Sequence, residues 1–361
     1  MEAEVARRVL VTGGCGFVGR HLVAKLAAEG GAEVWIIDDL STGKAPADWE
    51  VPQLRHVGEE GGVAFHEVVG HEAVVRFIRA DFVAVAQAEM GMTPSLGLAR
   101  LPAFDEVYHL ASVVGGRNVI DNDPLAVGID LAIDSTFFLW SAKVARPERI
   151  LYASSSAAYP IDLQEAGESR ALHEDDISFE KRLGLPDYTY GWSKLTGEYL
   201  GRIAHEKYGL SVGVVRPFSG YGEDQDVVYP FPAIALRVAA QRDPVRVWGS
   251  GHQTRDFVHI DDACAACLLV CRGVSDARAF NIGSGKATSF LDLAGRMVAI
   301  EGYDAPVLGT AGKPVGVAER YSDASRIRDE LGWAQTISLD AGIGRALDYA
   351  RSRLARGVEP E

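Results

Sequence analysis

The tightest constraint on this chain lies in its first forty residues. Arg8–Thr12 is an apolar run of strand length, and Val34–Asp38 (VWIID) is a second. Between them come a glycine-rich turn, Gly13–Gly19, and a helical pattern over Phe17–Glu29 that Gly30–Gly31 closes. Two buried strands joined through a helix lie parallel, with a right-handed crossover. Further strands fit Ala73–Arg79, Glu106–Leu110, Arg149–Ala153 and Ser211–Arg216, and helical spacing runs over 124–144 and 188–208. This alternation predicts an α/β fold built on a doubly wound parallel sheet over residues 1–216. After Pro217 the composition changes. A helix is expected at Phe231–Ala240, a short strand at Val245–Val247, and a strand at Ala279–Ile282 that returns to the main sheet. Residues 252–283 thus join the first unit, while 217–251 and 284–361 make a smaller, mixed α/β unit. Residues 43–75 and 86–103 lack a sustained period and read as long connections.

Charge narrows the partners. Lys and Arg number 36 against 50 Asp and Glu, a formal charge of −14. Nucleic acid or an anionic membrane surface needs a basic footprint, so neither is expected. A few arginines can still hold a phosphate locally. Uninterrupted apolar runs such as Cys264–Cys271 fall short of the ~20 residues of a membrane span. The start, MEAEVARRVLVTGG, has none of the features of a signal peptide, and the expectation is a cytoplasmic protein. Cys264, Cys267 and Cys271 share one helical face. A metal would need further ligands and only His259 is near, so they read as small core residues and no metal is expected.

The turn Thr12-Gly13-Gly14-Cys15-Gly16-Phe17-Val18-Gly19 sits between a strand and a helix. Its first glycine permits the tight turn, its middle one lets backbone approach a pyrophosphate, and its last allows close helix–strand packing. Asp38 ends the second strand 19 residues past Gly19, where a carboxylate accepts hydrogen bonds from a ribose diol. That carboxylate repels a 2′-phosphate and no arginine follows it, which favours NAD over NADP; a strand-end turn cap is the alternative. Asp81, after the third strand, stands where an adenine amino group would be met.

Tyr190-Gly191-Trp192-Ser193-Lys194 puts a phenol and an ammonium on one helical face. Oxidising a secondary alcohol requires a base for the hydroxyl proton, and a free tyrosine is too weak an acid to serve at neutral pH. A neighbouring lysine and a positively charged nicotinamide both favour the phenolate. Ser155, ending the preceding strand, can hydrogen-bond the same alcohol oxygen.

The segments TGGCGFVG (12–19), SSSAAYP (154–160), YGWSK (190–194), RPFSGYG (216–222) and RDFVHIDD (255–262) occur in this order. Their order and spacing resemble the extended short-chain dehydrogenase/reductase family, within it the NAD-dependent nucleotide-sugar epimerase/dehydratase group. The likeness covers nearly the whole chain and is weakest at 43–75 and 86–103. It implies a Rossmann-like domain with a small C-terminal substrate domain, and a homodimer formed through two helices per subunit. It implies Tyr190 as base, Lys194 as its modulator and ribose ligand, and Ser155 as the alcohol-orienting residue. Gly13, Gly16, Phe17, Val18 and Gly19 would hold the pyrophosphate and Asp38 the adenosine ribose. Asp39, Ser41, Asp81, Phe82, Leu110, Ala111 and Pro217 complete the implied NAD site.

The same resemblance discriminates among reactions. Family 4,6-dehydratases carry Asp-Glu where this chain has Ser156-Ala157. GDP-mannose 3,5-epimerases and GDP-fucose synthases carry cysteine at the position of Ala157, although Val114-Gly115-Gly116 and Tyr159-Pro160 look like theirs. What remains is redox at one carbon, and the expectation is 4-epimerisation of a nucleotide-diphosphate sugar. Decarboxylation of a nucleotide-hexuronic acid, or a nucleotide-sugar dehydratase/reductase reaction, is the alternative within the family. A non-catalytic dinucleotide-binding regulator is the alternative outside it. For the substrate, Ser156, Ser219, Arg255 and Arg320 are the implied contacts, with the two arginines on the diphosphate; a surface salt bridge is the other reading of each arginine. Ser219 stands where many relatives have asparagine. Trp248 reads equally as a base-stacking or a core residue, and Asp261 and Asp262 read as a helix N-cap pair.

Overall fold

Strand β1 (Arg7–Thr12) enters the centre of the molecule, buried from Val9 onward and flanked by parallel neighbours on both sides. The chain is known here from a computed structural model, which describes residues 7–113, 122–167, 170–310 and 316–360. From β1 the chain turns through helix α1 (Phe17–Glu29) into β2 (Ala32–Asp38), the right-handed crossover unit that the glycine turn and the apolar strands dictate. Strands β3 (Leu54–Glu60), β4 (Val63–Val68) and β5 (Val74–Arg79) follow, then helix α2 (Phe82–Glu89) and β6 (Glu106–His109). A helical turn at Pro124–Val127 precedes α3 (Asp130–Trp140), which runs on through a wider π turn to Ala145. Next come β7 (Arg149–Ala153), the 21-residue α4 (Tyr188–Tyr208) and β8 (Val212–Pro217). Strand β9 (Ser219–Tyr221), α5 (Pro230–Ala239), β10 (Val245–Trp248), β11 (Thr254–Arg255) and β12 (Phe257–His259) lead to α6 (Ile260–Gly273) and β13 (Asp276–Ile282). The last stretch holds β14 (Thr288–Ser289), α7 (Phe290–Glu301), β15 (Val307–Thr310), β16 (Glu319–Arg320), α8 (Ser325–Leu331) and α9 (Leu339–Ala355).

Among the described residues, nine strands form the main sheet in the order β13-β8-β7-β6-β1-β2-β5-β4-β3. The seven from β13 to β5 are parallel, and β4 and β3 continue antiparallel. The strand order reverses between β1 and β6, so the loops leaving these two strands open the crevice in which α/β sheets bind ligands. Helices α1 and α6 pack together over one face, while α2, α3 and α4 cover the other. Leu22, Leu26, Ile36 and Phe280 fill the first layer; Leu10, Phe137, Trp140 and Tyr152 fill the second. A separate core around Phe231, Phe257, Leu293 and Leu347 holds α5, α7 and α9 together.

Two expectations are corrected. Residues 43–75 are no simple connection: they carry a short turn at Pro46–Asp48 and the β3–β4 hairpin. The signal is Gly61-Gly62, both at positive φ, flanked by Glu60 and Val63. The strand itself is obscured because β3 is solvated, more than half its residues being charged or polar, with a register shift between His56 and Gly58. Second, Asp261 and Asp262 do not cap α6. His259 does, accepting from the Asp261 amide. Asp262 is buried and accepts from Thr336 and Ile337, tying the approach to α9 onto α6, while Asp261 pairs with Arg345. The cysteines of α6 lie in the core at 2% exposure or less, and burial lifts each thiol well above its usual range.

The helical stretch Pro124–Ala145 also differs from the reading based on apolar runs: by length and composition alone it would cross a membrane. In the fold one face packs into the core, with Asp130 and Asp134 wholly buried among polar partners, while Leu125, Ile129, Leu131 and Leu139 stay exposed.

Candidate active site

Gly13 leaves β1 at φ +68°, and a Cβ there would stand 2.7 Å from the backbone of Ala111. Gly19 is equally confined, its Cβ position lying 2.6 Å from Gly14. Gly16 is the N-cap of α1 and offers no side chain to the first turn, which also lacks an acidic residue. Amides of Phe17 and Val18 therefore start the helix without a side-chain acceptor, an arrangement that favours an anion. Ala111 and Leu110 close the turn from the β6 side, their amides donating to Thr12 at 3.3 and 3.1 Å.

Asp38 ends β2 facing this turn. It accepts from the amides of Cys15 (2.9 Å) and Leu40 (2.8 Å), and burial raises its carboxyl pKa despite these bonds. Each carboxylate oxygen keeps a lone pair for a diol. Asp39 and Ser41 form an exposed turn beside it. Asp81 caps α2 by accepting from Val83, and Phe82 turns its ring into the core against His109 and Trp140, leaving its backbone to meet any ligand. Pro217 ends β8.

The three residues of the proposed reaction set come together from two elements. Ser155 follows β7, accepts from the Ala157 amide at 3.1 Å, and is hydrogen-bonded to the Tyr190 phenol. Tyr190 and Lys194 occupy successive turns of α4, the ammonium 5.8 Å from the Tyr190 ring centre and 5.6 Å from that of Tyr152. Burial pushes the Tyr190 phenol above its usual range; Lys194 and the Ser155 bond pull it back, while Asp130 and Asp134 oppose them. Lys194 is 3% exposed. Burial alone would lower its pKa, yet Asp134, Tyr190 and Asp130 together raise it, so the ammonium stays charged.

The groups behind Lys194 escape a sequence reading. Asp134 accepts from His109 Nε2 (3.1 Å) and from the Tyr152 hydroxyl (2.6 Å). His109 is neutral, since burial lowers its pKa, and with its proton on Nε2 its Nδ1 accepts from Thr12 at 2.8 Å. This chain links the glycine turn to the lysine. Gly197 makes room for it: a Cβ would fall 1.9 Å from the Tyr152 oxygen. The signal in the sequence is two aspartates, Asp130 and Asp134, one turn apart in an otherwise apolar helix.

Ala157 is buried with its carbonyl accepting from Asp187, and no acid or base stands at its position. Ser156 is buried beside it. Tyr159 is wholly buried and bonded to Asn281 and Arg216, so its likeness to other enzymes reflects packing. Val114-Gly115-Gly116 lies outside the described residues. Arg255 and Arg320 are partners in register on the parallel strands β11 and β16. Arg255 donates to the carbonyls of Thr254 and Val317, and Arg320 to Gln164 and Asp187. The Ser219 amide donates to Asp256, and Trp248 is partly exposed, its carbonyl bonded to Gln253.

Known proteins share this plan. The chain is 28% identical over 348 residues to a GDP-mannose 3,5-epimerase of Oryza sativa subsp. indica, covering 93% of this chain and 79% of that protein. It is 26% identical to a putative UDP-glucose 4-epimerase of Methanocaldococcus jannaschii, over 95% of this chain and 98% of the other. The structure of a UDP-glucose 4-epimerase from Thermotoga maritima superposes with a TM-score of 0.75 at 22% identity, over 96% and 99% of the two chains. The model of the NAD dependent epimerase/dehydratase family matches residues 9–283, and the chain belongs to that family.

Proposed function

We propose that the protein is an NAD-dependent nucleotide-sugar epimerase that inverts C4 through a transient 4-keto sugar. The observation that carries this is the Ser155–Tyr190–Lys194 set with Ala157 beside it: one proton-handling phenol, and an alanine where a second acid or base for another carbon would stand. The site fits a dinucleotide, because the Gly13 and Gly19 contacts leave a cradle open to an anion and Asp38 faces it. NAD, when bound, supplies the hydride acceptor and donor and a positive ring that favours the phenolate. Tyr190 then takes the proton from the sugar hydroxyl and returns it after the ketone has turned over. Ser155 orients the hydroxyl oxygen, and Lys194 holds the phenol's charge. Arg255 and Arg320 take the diphosphate. On this reading 1–216 with 252–283 hold the dinucleotide, and 217–251 with 284–361 the substrate.

Incubating the holoprotein with a panel of nucleotide sugars and resolving products by NMR tests the reading. The expected result is a C4 epimer with no net NADH. Stoichiometric NADH sinks it, and CO₂ release from a nucleotide-hexuronic acid would replace it with decarboxylation.

Asp38 sets the cofactor preference. NADP is expected to bind at least about tenfold more weakly than NAD, because the 2′-phosphate meets a carboxylate already fixed by two amides. Fluorescence titration of stripped protein with both cofactors measures this, and equal affinities would remove Asp38 from the ribose.

We also infer a cytoplasmic homodimer. The four cysteines are unpaired, as suits a reducing compartment. Helices α3 and α4 pack side by side and leave apolar side chains outside: Leu131 and Leu139 at 43% and 42% exposure, Trp192 and Tyr199 at 42% and 47%. A matching pair of helices from a second copy covers this face. Sedimentation should give twice the chain mass, and Leu139→Glu combined with Trp192→Glu should give the chain mass alone.

A further inference from the structure

We propose that Asp187 is a positioning residue that couples occupancy of the diphosphate site to the Ser155–Tyr190 geometry by competing with the diphosphate for Arg320. This rests on the reading of Arg255 and Arg320 given above.

Arg320 is not displayed freely toward a ligand. Its side chain is 13% exposed and is gripped on two sides, by the Gln164 amide oxygen and, at 3.0 Å, by the Asp187 carboxylate. Gln164 is itself fixed, its amide nitrogen donating to the carbonyls of Pro160 (2.9 Å) and Tyr159 (3.3 Å). Asp187 precedes α4 but makes no side-chain bond to the helix amides, the usual employment of an aspartate there. Its carboxylate, at 5% exposure, is turned toward Arg320 instead.

The backbone of Asp187 stands at the junction of the reaction set. Its amide donates to Ala157 O at 3.0 Å, two residues past Ser155, and its carbonyl accepts from Gly191 at 2.8 Å, next to Tyr190. The junction has no slack. A Cβ on Gly191 would lie 2.3 Å from that same Ala157 oxygen. Tyr188, the residue after Asp187, is held at φ +51°, a conformation that costs a tyrosine energy and persists only where its surroundings impose it. Displacement of Asp187 therefore moves the serine turn and the first turn of α4 together.

An arginine carries five N–H donors, and a diphosphate is as strong an acceptor for them as a carboxylate. A diphosphate lodged between Arg255 and Arg320 draws the Arg320 fork away from Asp187. The carboxylate thus opposes diphosphate binding in the resting protein, and its release on binding resets the Ser155–Tyr190 pair. Binding energy from a remote part of the substrate is in this way used at the reacting carbon.

The test uses the holoprotein and Asp187→Asn, with UDP and GDP as probes in calorimetric titrations. Loss of the competing charge should tighten binding of the nucleoside diphosphate that the native protein takes, by about fivefold or more. Turnover on the nucleotide sugar identified by the panel should fall about tenfold or more. Tighter binding with slower turnover supports the coupling, because a merely structural role would weaken binding or leave it alone. Unchanged or weaker binding in a folded variant overturns it, whatever happens to turnover. Should Asp187→Asn fail to fold, Asp187→Ser removes the same charge and is judged by the same titration. If the native holoprotein binds neither UDP nor GDP, the diphosphate reading of Arg255 and Arg320 fails first, and the coupling with it.

Discussion

Tyr190→Phe is expected to lower turnover by about 10²- to 10⁴-fold while the purified protein retains its NAD. The phenol oxygen is the only group of the set able to take and return the alcohol proton, since Ser155 is bonded to it and Lys194 stays protonated. The ring itself remains in place, so packing beneath it is undisturbed. Turnover by product NMR and cofactor content by absorbance after denaturation separate the two effects. A variant with native turnover would reduce the protein to a dinucleotide-binding module. A variant that loses both activity and NAD would show that the substitution had disturbed the fold and not the chemistry.

Lys194→Met is expected to abolish measurable turnover and also to destabilise the fold by about 1–3 kcal/mol. Among the described residues the ammonium is the cation acting on Asp130, Asp134 and Tyr190 in a fully buried space, and methionine leaves the two carboxylates with neutral hydrogen-bond partners alone. The deficit depends on pH with a definite sign. Burial already raises the Asp130 carboxyl pKa, and Lys194 is the largest influence pulling it back. Without the lysine the folded chain holds that proton to higher pH than the unfolded chain does, so stability falls as pH rises above about 4. Urea unfolding at pH 5 and pH 8 should show the gap to the native protein widening with pH. A gap that narrows would mean the carboxylates are compensated by another group.

What could be read from the sequence was local. The glycine turn, Asp38 and the Tyr190–Lys194 pair each declare themselves within a few residues, because strand, turn and helix periods fix where their side chains point. The groups that hold Lys194 did not. His109 reaches Thr12 across 97 residues and Asp134 across 25, and only the sheet order brings them together. Arg320 and Asp187 are 133 residues apart, so their pairing was equally hidden. Asp262 was misassigned for the same reason: its place beside the start of a helix suggests a cap, and its true partners, Thr336 and Ile337, lie in a distant segment. The β3–β4 hairpin is hidden in the sequence because a solvated strand lacks the apolar alternation on which strand recognition depends.

That hairpin also decides how the sheet ends. Without it, β5, with Val75, Phe77 and Ile78 buried, would be the outermost strand, with a row of backbone groups ready to recruit a strand from another molecule. β3 is a poor template for such recruitment. It is kinked between His56 and Gly58, and it presents Arg55, Glu59 and Glu60 to solvent. At this edge, opposite β13, the hairpin thus ends the sheet with a strand that discourages pairing with another molecule.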